Sequence, residues 1–116
     1  MGYKLYQYTR KIEKIEGGYF ANKASKLKGF LEKECPSLYT ESGENTETWE
    51  IAVEDIIAMI KKLETFSPDD TMLTALNVDL GNITVGDFIN VFKQFLKAAS
   101  KKENFSNNDY IYLTWI

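Results

Sequence analysis

The spacing of apolar residues changes along this chain, and that change limits the folds open to it. Trp49, Val53, Ile56, Ile60 and Leu63 step by four and three, the spacing of one helix face. After the turn cluster Asn107-Asn108-Asp109 the pattern gives way to Tyr110-Ile111-Tyr112-Leu113-Thr114-Trp115-Ile116, an unbroken strand-forming run. Helical stripes through most of the chain and one strand at its end call for a mainly α (α+β) fold. The expected architecture is a compact bundle of four to five helices with a small C-terminal β element. Residues 1–116 read as a single domain, because no linker or repeat divides them. A chain of 116 residues, 44% hydrophobic and 14% aromatic, has the material for a real core and is not a disordered chain. No apolar run reaches the roughly 18 residues that a membrane-spanning helix requires.

The remaining elements follow from the same reasoning. Leu5, Tyr8, Ile12 and Ile15 predict a helix from Tyr3 to Ile15, although the Tyr-rich opening Tyr3–Tyr8 equally suits a strand. Gly17-Gly18 breaks it. A second helix is expected from Tyr19 to Glu34, with Phe20, Ala24, Leu27 and Leu31 inward, and Pro36 stops it. Ser37 to Asn45 reads as loop, and Thr46 to Thr65 as the third helix. Ser67-Pro68-Asp69-Asp70 has the form of a helix start, with Ser as N-cap and Pro at the first position, for a short helix to Leu76. Thr84-Val85-Gly86-Asp87 resembles a capping box and opens a last helix to about Lys101. The expected core is Leu27, Phe30, Leu31, Val53, Ile56, Ile60, Leu63, Phe88, Phe92, Phe95 and Leu96. The terminal strand needs a neighbour: Tyr3–Tyr8, the short Asn77–Leu80, or another molecule.

Chemistry is scarce. The chain has no His and one Cys, which removes the Ser-His-Asp triad, the Cys-His pair and ordinary zinc sites. Cys35 precedes a Pro at a helix end, far from any helix N-terminus that would activate it. Asn77, Asp79, Asn82, Thr84 and Asp87 gather oxygen ligands, but their register does not fit a calcium loop. Glu50, Glu54 and Asp55 supply paired carboxylates with no sign of a cleft. The expectation is therefore a protein that is not an enzyme and holds no cofactor or metal. A lone Cys and an N-terminus without a secretory h-region make cytoplasmic residence the default.

Charge gives the more specific signal. The formal net charge is −3, yet residues 1–34 carry +4, residues 35–90 carry −9 and residues 91–116 carry +2. Six acids (Glu41, Glu44, Glu47, Glu50, Glu54 and Asp55) lie between positions 41 and 55 without an intervening cation. On the expected third helix Glu47, Glu50 and Glu54 form a stripe, and a helix N-terminus favours such acids by only about 0.3–1 kcal/mol each. The cluster therefore points to a basic protein partner and away from direct nucleic-acid or membrane binding. Trp49 and Trp115 are candidate aromatic anchors, alongside Tyr110 and Tyr112, with Tyr6 and Tyr8 if the two ends pair.

Size, charge and the lack of catalytic residues are those of bacterial immunity proteins and antitoxins against nuclease toxins. By that analogy the expected function is an acidic inhibitor occupying a basic partner's active site or groove. The alternatives are a phage or mobile-element DNA mimic, and an assembly protein that pairs through its terminal strand.

Overall fold

In a computed structural model of the chain, residues 5–8, 14–16, 20, 23–44, 46–101, 105–106 and 108–115 are described. For 5–8, 14–16 and 115 the description is of the backbone. The fold is α+β, with four helices and one five-stranded antiparallel sheet among these residues. The strands are β1 (Leu5–Tyr8), β2 (Lys14–Glu16), β3 (Tyr39–Gly43), β4 (Thr46–Ala52) and β5 (Tyr110–Trp115). The helices are α1 (Ala24–Glu34), α2 (Val53–Leu63), α3 (Met72–Leu76) and α4 (Val85–Ala99). The sheet order is β2-β1-β5-β4-β3.

β5 is the central strand. It pairs antiparallel with β1 (Leu5 opposite Trp115, Tyr8 opposite Tyr112) and with β4 (Glu47 opposite Trp115, Ala52 opposite Tyr110). Of the neighbours the sequence offered, the Tyr3–Tyr8 region is the one used. Asn77–Leu80 does not pair with it. Both edges of β5 are filled from within the chain, so it has no free edge to lend to an assembly.

Strand geometry replaces helix at two places. The helix expected from Tyr3 to Ile15 is a pair of strands where it is described, with β1 and β2 antiparallel and Tyr6 opposite Glu16; positions 3–4 and 9–13 lie outside the described residues. The third helix begins at Val53, seven residues later than its expected start at Thr46, because Thr46–Ala52 is β4. Trp49 and Ile51 alternate with Thr48 and Glu50, so two-residue periodicity buries Trp49 and Ile51 while β-branched Thr46 and Thr48 suit the strand. Trp49 also stands four residues before Val53, which is why the strand extends the helical stripe. The segment read as loop after Pro36 contains β3, joined to β4 as a hairpin.

A small polar network fixes the strand-to-helix junction. Ala52 is extended (φ −62°, ψ 136°) and caps α2, and its N–H donates to Ser37 Oγ at 3.0 Å. The Ser37 N–H donates in turn to Asp55 Oδ2 at 3.0 Å, and the Val53 N–H donates to the Asp109 carbonyl at 2.8 Å. Orphan donors at the start of α2 thus bind the ends of neighbouring segments.

The Ser67-Pro68-Asp69-Asp70 signal serves a different helix from the one expected. Its carbonyls accept from the first turn of α4: Gly86 N–H to Pro68 O at 3.0 Å, and Val85 N–H to Asp70 O at 2.8 Å. A Cβ on Gly86 would meet the Pro68 carbonyl oxygen at 3.2 Å, so glycine permits this close approach. The short helix α3 is instead capped by Thr71, whose side chain accepts from the Thr74 N–H. It ends at Asn77 in the left-handed region (φ 55°). The capping box at α4 is as expected, with Thr84 Oγ1 accepting from the Asp87 N–H at 3.1 Å and the Asp87 side chain accepting from Thr84.

The core lies between the helices and one face of the sheet. Phe20 precedes α1 rather than belonging to it, yet is fully buried against Phe88 and Phe92. Phe88 is the centre of the ring cluster: it stacks on Phe92 (4.8 Å between centroids) and takes Phe20 and Phe30 edge-on. The expected core residues are all buried except Leu96, which packs at the margin. Trp49, Ile51, Ile111 and Leu113 complete the core from the sheet.

Phe88→Ala should lower unfolding stability by about 3–5 kcal/mol in urea denaturation. Thr84→Ala, which removes a single cap, should cost about 1 kcal/mol. Equal losses would contradict the central place given to Phe88.

Candidate partner-binding surface

Alternation along the strands divides the sheet into two unlike faces. Trp49, Ile51, Ile111 and Leu113 are buried toward the helices. The residues between them form an open face. In one row Tyr39 stands opposite Glu50, and Glu50 opposite Tyr112; in the next, Glu41 stands opposite Thr48, and Thr48 opposite Thr114. Tyr110 lies opposite Ala52 at the end of the ladder. Tyr39, Tyr110 and Tyr112 are 56%, 44% and 46% exposed. They are three of the four large hydrophobic side chains exposed among the described residues, Leu73 on α3 being the fourth. Exposed aromatics flanking carboxylates on a regular sheet are unlike the scattered single apolar residues of an ordinary surface.

The six acids do not form the helical stripe expected of them. Glu47 and Glu50, three apart on a strand, fall on opposite faces of the sheet. Glu47 is on the helix side, where its carboxylate accepts from Lys28 Nζ at 3.3 Å. Glu41 and Glu50 occupy the open face, Glu44 is exposed in the β3–β4 turn, and Glu54 is exposed in the first turn of α2. Asp55 is committed to the Ser37 N–H and is a structural group. Trp49 is fully buried, so its indole belongs to the core and offers no anchor to a partner. Trp115 sits opposite Glu47 and Leu5 in the central strand.

Internal ion pairs separate the acids that are already matched from those that are not. Lys28 pairs with Glu47, Lys62 with Glu34, Lys93 with Glu64, and Lys26 with Asp79. The hydrogen bond from Lys26 is the main cause holding the Asp79 carboxyl below its usual range. Among the described residues, Glu41, Glu44, Glu50 and Glu54 have no cation at ion-pair distance. Three of these four lie on or beside the β3–β4 hairpin. Of the unmatched acids, Glu41 and Glu50 therefore share the open face with the exposed tyrosines.

Tyr39 was hidden from sequence reading because its segment looked like loop. The available signal was the hairpin pattern: Tyr39-Thr40, the turn formers Ser42, Gly43 and Asn45, then the alternating Thr46 to Ile51. No cluster of three metal-binding side chains exists among the described residues. Cys35 is fully buried, with its Sγ 3.9 Å from Met59 Sδ. Burial first, then the charges of Asp55 and Glu34, push its thiol from the ordinary 9.0 up to about 12. Among the described residues, no helix is long and apolar enough to cross a membrane.

No protein-family model, curated protein or solved structure matches the chain.

Native Cys35 should resist a thiol reagent at about pH 8 and react fully once the chain is unfolded in denaturant. Its raised pKa also fixes the sign of a pH effect. Between about 9 and about 12 the unfolded chain releases the thiol proton while the native chain keeps it, so stability should fall as pH rises through that window. Cys35→Ala should flatten this part of the denaturation-versus-pH curve.

Proposed function

We propose that the chain is a non-enzymatic binding protein of the immunity or antitoxin kind, which neutralises a basic protein partner docked on the open face of its sheet. The observation that carries this reading is the row Tyr39, Glu50, Tyr112, with Glu41 in the next row. Tyrosines give a partner large, rigid, amphipathic contact area. Carboxylates that no cation matches among the described residues attract a basic surface and orient it before contact. Both kinds of group lie on strands, whose geometry is held by the core beneath. The partner is thus chosen by charge and retained by aromatic burial.

The division of the acids weighs against a DNA mimic, which needs carboxylates in phosphate-like rows on one surface. Here they are split between two faces of a sheet and the first turn of a helix.

The test is to capture the partner by proximity crosslinking in the source cells and measure its binding to purified variants. Glu41→Gln with Glu50→Gln should slow association and flatten its salt dependence. Tyr112→Ala should speed dissociation and cost about 2 kcal/mol or more. A basic partner bound equally well by all three forms of the protein would sink the reading.

A further inference from the structure

The open face ends at β3, and β3 is the last strand of the sheet on that side. It pairs with β4 and, among the described residues, with nothing on its other edge. In an antiparallel pair alternate residues turn their N–H and C=O groups away from the partner, so β3 presents a row of unpaired main-chain groups. Such an edge is a template for another strand, and proteins ordinarily blunt it with Lys, Pro or a bulge. β3 has none of these. Its sequence is Tyr-Thr-Glu-Ser-Gly, and its register to β4 runs one-to-one from Tyr39–Glu50 to Gly43–Thr46 without an inserted residue. Four of its five residues are exposed.

Charge decides what the edge accepts. Residues 39–52 carry four glutamates and no cation. Glu41 is the middle residue of β3, exposed and, among the described residues, without an ion-pair partner. Two copies of β3 pairing about a two-fold axis at that position would set Glu41 against itself, and like charges directly opposite are destabilising. A strand bearing Lys or Arg there meets the opposite charge instead. Its neighbouring side chain on the same face lies against exposed Tyr39, which favours an aliphatic stem carrying a cationic head.

We infer that the free edge of β3 takes up an extended, Lys- or Arg-rich segment of the partner as a sixth strand, paired antiparallel or parallel through the main chain, with a cation opposite Glu41. This rests on the reading of the partner as basic and specifies how that partner is held. Main-chain pairing supplies affinity, and side chains at alternate positions, Tyr39 and Glu41 on the open face, supply selection.

The probe is a blocked ten-residue peptide of alternating Lys and Val, compared with the same peptide N-methylated at every residue. Methylation keeps the charge and removes the backbone donors. The expected results are salt-sensitive binding of the first peptide, slower hydrogen exchange at alternate β3 amides in the complex, and binding of the second at least about tenfold weaker. Glu41→Lys should weaken the first peptide by a similar factor. It changes an exposed edge side chain, and circular dichroism checks that the sheet is kept; Glu41→Gln serves as the milder second variant. Equal binding of both peptides, or binding with β3 exchange unchanged, overturns strand addition. That result leaves face docking standing, which the Tyr112→Ala measurement decides by itself. No binding of the unmethylated peptide also overturns the inference.

Discussion

The ladders on the two edges of β5 hold the sheet together. On one side Leu113 stands opposite Trp49 and Ile111 opposite Ile51, and on the other Leu113 stands opposite Gln7. β1–β2 and β3–β4 are separate antiparallel pairs, and an isolated hairpin is marginal in water. β5 joins them into one five-stranded sheet, in which β4 and β5 supply the buried Trp49, Ile51, Ile111 and Leu113. Leu5 and Trp115 meet in register across almost the whole chain, so closing the sheet carries a large loop entropy. The fully buried Trp49, Ile51, Ile111 and Leu113 under the helices offset that cost.

Once β5 is central, the division of labour between the two faces is fixed by strand parity. Trp49 and Ile51 on β4, and Ile111 and Leu113 on β5, share one phase and join the core that contains the phenylalanine cluster around Phe88. Glu50 on β4 and Tyr110 and Tyr112 on β5, in the other phase, are left for solvent or for a partner. Glu47 is in phase with Trp49 and lies at the margin of the helix layer, where Lys28 compensates it. Glu50 is out of phase, between two exposed tyrosines. The same parity places Glu41 and Tyr39 on that side and leaves β3 as its boundary. The surface proposed to bind a partner is thus a consequence of how the core is assembled.

Some of this was legible in the chain, and the exceptions have particular causes. The last helix was readable because Thr84 and Asp87 form a local cap and Phe88, Phe92 and Phe95 repeat at helical spacing. The terminal strand was readable because no helical stripe competes with it. β4 was not, since Trp49 falls four residues before Val53 and a strand's inward residue mimicked a helix face. β1 is set by pairing with β5, and β2 by pairing with β1, contacts about which local pattern says nothing. Ser67-Pro68 looks like a cap, but its turn is spent on receiving the amides of α4. The acids of the candidate surface were visible as a cluster, whereas their separation into faces and the place of Tyr39 required the register.

The most direct measurement of the central claim is hydroxyl-radical footprinting of the protein alone and in complex with its captured partner. Tyr39, Tyr110 and Tyr112 should lose most of their reactivity on binding, while Leu73, exposed on α3 away from that face, should keep its own. Unchanged labelling of the three tyrosines, with protection at α3 or along α1 instead, would contradict the account.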